Sequence, residues 1–176
     1  DLDDFAVAAE LTGHHDDAVA VLQQAFLLAQ RDDDLARAVR SVFQLAMSTA
    51  THGESALSAG WTSRGEALVA DAPADAAERG WVAFLLMFRA LGTQDFVMAA
   101  TCADEATAIG HAHDVADLIA LGTCAQGRLA IYGGRVTEGL ALLDESIVRV
   151  VAGEVTPIVA GHVYCTAIEG CQEISD

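Results

Sequence analysis

The chain has 176 residues, with nine basic side chains against twenty-six acidic ones and a net charge of −17. Every base is arginine, so lysine Schiff-base chemistry and a Walker phosphate loop are excluded. So acidic a surface repels a phosphate backbone, which argues against direct nucleic-acid binding. Hydrophobic residues make up 53% and aromatics only 6%, and thirty-five residues are alanine. A small, strongly helix-forming apolar residue used this heavily predicts an all-α fold of closely packed helices.

Nine helices are expected, at about 2–12, 16–30, 34–51, 54–71, 74–91, 95–110, 114–132, 136–151 and 157–174. The first is short and closes at Gly13, after which Ala18, Leu22, Ala25 and Ala29 recur at intervals of 4, 3 and 4. Asp32, Asp33 and Asp34 supply an N-cap and first-turn acids for the third helix. Gly53 closes that helix, and the next carries Ala59, Ser63 and Ala67. Ala72-Pro73 sets a proline at the expected first position of the fifth helix, where the missing N–H costs nothing. Gly92 ends it, before Ala99, Ala103 and Ala106. Gly134 precedes Gly139, Leu143 and Ser146, and Thr156-Pro157 opens the last helix. The four turn glycines are separated by 40, 39 and 42 residues. Small residues on one stripe let paired helix backbones approach, and a hairpin of ~40 residues buries its apolar face only by stacking on neighbours.

The pattern Gly13, Ala18, Leu22, Ala25 resembles the tetratricopeptide repeat, as does a small residue seven positions before a turn glycine (Ala6, Ala46, Gly127). The resemblance implies a right-handed superhelical α-solenoid of about four and a half tetratricopeptide-like hairpins, read as one domain over 1–176. Its repeats would span about 1–31, 32–72, 73–112 and 113–155, with a half repeat at 156–176. The period is longer than the family's, and the helix-ending proline is missing. A narrower likeness lies in 117–121, 126–129, 134–145 and 151–165. These segments are similar to the helical repeat region of actinobacterial LuxR-type transcriptional regulators and related cyclase-linked regulators. That resemblance implies a protein-interaction or sensory module of a cytoplasmic transcriptional regulator, with the DNA reader elsewhere. The expected partner is a protein, or a second copy through apolar repeat ends.

The resemblance also implies which positions face a concave groove: 13, 10, 6 and 3 residues before each turn glycine. The second unit contributes Arg40, Phe43, Met47 and Ala50, the third Arg79, Val82, Leu86 and Arg89, and the fourth Leu121, Cys124, Arg128 and Ile131. The last helix adds His162, Cys165, Glu169 and Gln172, with Tyr164 beside them. Four of nine arginines on these positions allow two readings. Their guanidinium forks hold an anionic small molecule or acidic peptide, or they pair with nearby carboxylates.

No catalytic motif is found: no Gly-x-Ser-x-Gly, no His-Glu-x2-His and no dinucleotide glycine fingerprint. No cofactor is expected. His14-His15 and His111/His113 are metal-ligand types, but neither pair shares one helical face, so no metal is expected either. Trp61, Trp81, Phe84 and Phe88 read as core. Cys102, Cys124, Cys165 and Cys171 form no CxxC pair and read as buried reduced thiols, which suits the cytoplasm. The longest apolar run, Trp81 to Phe88, is eight residues, against the ~20 of a membrane helix. No basic-then-apolar leader opens the chain. Asp1 at its start suggests a piece of something longer.

Overall fold

A computed structural model describes residues 1–175. Among them there are nine α-helices and no strand: α1 (Leu2–Leu11), α2 (His15–Arg31), α3 (Leu35–Thr51), α4 (Ser55–Leu68), α5 (Ala77–Gly92), α6 (Phe96–Ala112), α7 (Ala116–Tyr132), α8 (Val136–Val151) and α9 (Pro157–Ser175). The all-α expectation holds, and most boundaries fall within a residue or two of those read from the sequence. None of the described helices is long and apolar enough to cross a membrane.

Most turns repeat one chain-reversal device. A single left-handed residue stands at Gly13, Asp33, Gly53, Gln94, Asp114, Gly134 and Gly153. The residue after it donates its N–H back five positions, as in Asp34 N to Ala29 O at 2.8 Å and Arg135 N to Ala130 O at 2.8 Å. This is the closure that satisfies orphan carbonyls at a helix end. The left-handed positions recur every 20 residues or so, with one interval of 41 from Gly53 to Gln94. Helix plus turn is therefore the elementary period, and glycine fills four of these seven turn positions. Asp34 caps α3 through the Arg37 N–H at 3.0 Å, as the aspartate run predicts, and Asp95 caps α6 through Met98 N at 3.0 Å.

The long interval brings two corrections. Pro73 does not open a helix: α4 stops at Leu68, and α5 starts only at Ala77. The intervening turn is held by the Arg79 guanidinium, which donates to the carbonyls of Ala70, Ala72 and Pro73 at 2.8–3.3 Å. The third turn is likewise displaced. Gly92 is the last residue of α5, and the left-handed residue is Gln94, φ 61°.

The chain divides into two compact units, Asp1–Leu85 and a second from Leu86 onward. In the first unit α1 packs on α2, α2 on α3 and α3 on α4. Ala6, Leu22 and Leu45 form a core cluster, flanked by Val19, Val21 and Trp61. Phe43 meets Trp81 edge-on at 4.8 Å between centroids, and Phe84 at 6.0 Å. Gly65 fits between Val42 and Val82, either of which would lie 3.3 Å from an added Cβ.

In the second unit α7 packs on α6, α8 and α9. It is the most buried helix described there, with Leu118, Ala120 and Leu121 almost wholly enclosed. The α7–α8 crossing is backbone on backbone. A Cβ on Gly139 would stand 2.5 Å from the Gly127 carbonyl oxygen, and one on Gly127 would stand 2.9 Å from that of Gly139. Asp117 in the first turn of α7, 7% exposed, accepts from the Thr156 N–H at 2.8 Å and the Thr156 hydroxyl at 3.0 Å. That pair ties the start of α7 to the start of α9.

Candidate functional site

The groove positions separate once side chains are placed. Phe43 and Met47 are 2% and 3% exposed and belong to the core of the first unit. Arg40, one turn earlier on α3, is exposed, with its guanidinium carbon 4.6 Å from the Trp81 ring centroid. Attraction to the ring face holds the cation at the surface. Arg79 is committed to the carbonyls of the 69–76 turn, and Arg89 lies exposed on α5 and has an interaction of its own. The shift of the third turn explains part of this. The same offsets counted from Gln94 fall on Trp81, Phe84, Phe88 and Leu91.

Arg128 sits in a different setting. On α7, in the second unit, it pairs with Glu169 and with Glu173 at 3.0 Å on α9. Tyr132, one turn on, receives the Arg128 Nε–H at 2.9 Å and donates its hydroxyl to Glu173 at 2.7 Å. Burial alone lowers the Arg128 pKa, but the Glu173 hydrogen bond and the charges of Glu169, Tyr132 and Glu173 outweigh it and raise the value. Burial and the bond to Glu173 raise that of Tyr132. One cation facing two carboxylates leaves this patch acidic, so an anion would have to displace Glu169 or Glu173. The ring of Tyr132 continues onto Phe96 at 5.6 Å. His162 is half-buried, and Tyr164 is 43% exposed.

Two further expectations change. Cys102 and Cys124 are buried, but Cys165 and Cys171 are exposed, and none of the four forms a disulfide. Trp81 and Phe84 are core, whereas Phe88 is 41% exposed. The exposure of Cys171 follows from α9, whose apolar arc is wider than α7 and α8 cover. Val159, Val163, Ala167 and Gly170 are buried, while Tyr164, Ile168 and Cys171, each one position further on, face solvent. Spacings of 4 and 3 were visible for both stripes, but sequence could not say which would be covered.

A cleft of about 520 Å³ in the first unit is bounded by the α2–α3 turn and the 69–76 turn, and Asp33, Asp34, Asp71 and Glu78 line it. Its charge disfavours an anion. Side chains able to hold a metal ion gather elsewhere in the same unit: Glu10, His15 and His52. Sequence reasoning missed this group because it weighed each histidine only against its immediate neighbours.

Burial pushes the Cys124 thiol up to about 12 from an ordinary 9.0, against smaller opposing effects of Thr166 and Arg128. The folded protein thus keeps a proton that the unfolded chain releases above pH 9. The associated stability is complete below pH 9 and is lost as pH rises from 9 toward 12, by roughly 1.4 kcal/mol per pH unit. Urea denaturation across that window should show this decline, and a Cys124→Ala variant should show a shallower one. Equal slopes would rule out this origin.

The fold defines an all-α protein of short-turned, helical-repeat character. No protein-family model matches the chain, and no curated protein matches it.

Proposed function

We propose that this chain is a non-catalytic, tetratricopeptide-like α-solenoid segment serving as a protein-interaction module of a cytoplasmic transcriptional regulator. The 20-residue alternation of helix and left-handed turn supports the repeat reading, as does α7 packing on both α8 and α9 within the second unit. The observation that carries the interaction reading is the apolar arc of α9. Its exposed stripe of Tyr164, Ile168 and Cys171 continues directly from the buried one, which suits the apolar face of a partner helix. The regulator context rests on the resemblance of the segments between 117 and 165.

A second reading, an anionic-ligand sensor, is favoured by one observation. Arg40 presents an exposed guanidinium preorganised on Trp81. A phage-displayed peptide selection, with a thermal-shift screen of anionic metabolites alongside, distinguishes the two. The module reading expects enriched amphipathic peptides whose binding falls at least roughly tenfold in Ile168→Glu. The sensor reading expects a small anion that raises the melting temperature of the native chain and fails to do so in Arg40→Glu. Peptides that bind Ile168→Glu undiminished, or no enrichment at all, would reject the module.

A further inference from the structure

Five side chains from four helix ends converge in the first unit. Glu10 lies in the last turn of α1, His15 opens α2, Ser48 lies in the last turn of α3, His52 follows it, and Glu54 precedes α4. Packing of α1, α2, α3 and α4 sets the turns at Gly13 and Gly53 side by side, which brings histidines distant in sequence into contact. The rings of His15 and His52 stack with centroids 3.6 Å apart and planes 20° from parallel.

Hydrogen-bond direction assigns the tautomers. The Ser48 hydroxyl donates to Glu10 Oε2 at 2.8 Å. With that proton on the carboxylate side, the 3.1 Å contact between Ser48 Oγ and His15 Nδ1 is a bond the imidazole donates. His52 Nδ1 lies 2.9 Å from the Ser48 carbonyl oxygen, which can only accept, so that ring also carries its proton on Nδ1. In the neutral rings both Nε2 atoms therefore present lone pairs. His15 Nε2 faces Glu54 Oε2 at 3.5 Å, a contact that either a proton or a metal ion between the two atoms makes favourable. An imidazole whose far nitrogen donates to a carbonyl or hydroxyl, leaving the other bare, is how proteins present histidine to a metal.

One ligand atom from each of Glu10, His15 and His52 lies within 4.8 Å of the other two. Around a single zinc ion, with ligands at about 2.0–2.2 Å, donor atoms sit within roughly 4 Å of one another, so the set closes once the two rings turn out of their stack to bring the ion into each ring plane and Glu54 swings in beside them. We propose that Glu10, His15 and His52, with the Glu54 carboxylate as fourth ligand, form a zinc site that clamps the first three helices to the start of the fourth. Two imidazoles and two carboxylates suit zinc and related first-row divalent ions rather than magnesium, which prefers an all-oxygen octahedron. Ser48 is a positioning residue, orienting both rings and Glu10 from a site 6% exposed.

Calorimetric titration of the chelator-treated 176-residue chain with zinc chloride should give one equivalent of binding, with none for magnesium chloride. His52→Gln, at an exposed position that leaves the helices intact by circular dichroism, should weaken zinc at least roughly 10- to 100-fold, and Glu10→Gln should do likewise. Cobalt should give tetrahedral d–d bands without a thiolate charge-transfer band, and Cys165→Ser with Cys171→Ser should bind zinc as the parent does. No zinc binding would overturn the proposal and leave a proton between His15 and Glu54 as the balancing charge. Binding undiminished in His52→Gln, or lost in the cysteine variant, would overturn it equally.

Discussion

Replacing Gly139 with valine should cost the second unit on the order of 3 kcal/mol or more, the largest effect expected of any single substitution outside the deep core. The reason is what the new side chain would meet. Its Cβ falls 2.5 Å from the Gly127 carbonyl oxygen and 2.6 Å from Ile131 Cγ1, so even alanine forces a shift. A carbonyl oxygen inside a helix cannot rotate away as a flexible side chain can, and α7 and α8 must therefore separate. Separation loosens the contacts of Leu143, 2% exposed, and of Ser146, which is fully buried. Gly161→Ala is the matching control. That glycine is helical and exposed, with nothing within 4 Å of an added Cβ, so alanine should be neutral or gain ~0.5–1 kcal/mol. Trp61 and Trp81 both lie in the first unit, so tryptophan fluorescence does not report on this region. Amide hydrogen exchange across α7 and α8 does, and unchanged protection in Gly139→Val would mean the two backbones do not touch.

Trp81→Ala should destabilise the first unit by about 3–5 kcal/mol. Trp81 is 4% exposed, packs edge-on against Phe43 and lies beneath the Arg40 guanidinium. Truncation removes the ring from a layer that Phe43 and Phe84 cannot refill, since both are already held at 6% exposure or less. Trp81→Phe should retain most of the stability because it keeps an aromatic edge against Phe43. Arg40→Ala should cost only about 0.5–1 kcal/mol, the value of an exposed cation on an aromatic face. Urea denaturation followed through Trp61, which all three variants keep, measures each of them. A loss under about 1 kcal/mol for Trp81→Ala would mean the ring is not a core element.

The helices were legible because their signals are local. Alanine content, apolar spacings of 3 and 4, and aspartate at Asp34 act within one or two turns of chain, and each names its element without knowledge of neighbours. The left-handed turn residues were legible only where glycine filled them. Asp33, Gln94 and Asp114 adopt the same conformation with a side chain attached, so these turns carried no glycine signal and the third was placed two residues early, at Gly92. Pro73 was taken for a helix start, although the Arg79 guanidinium gathers the carbonyls of Ala70, Ala72 and Pro73 into a turn.

By itself the amino-acid order determined the all-helical character, the approximate helix ends and the small-residue stripes, because these depend on backbone propensity and periodicity. Only the tertiary structure decided which carboxylates surround Arg128, which stripe of α9 stays in solvent, and that His15 meets His52. Those outcomes are set by which helix faces pack together, and contact between residues far apart in the chain leaves no periodic trace in sequence.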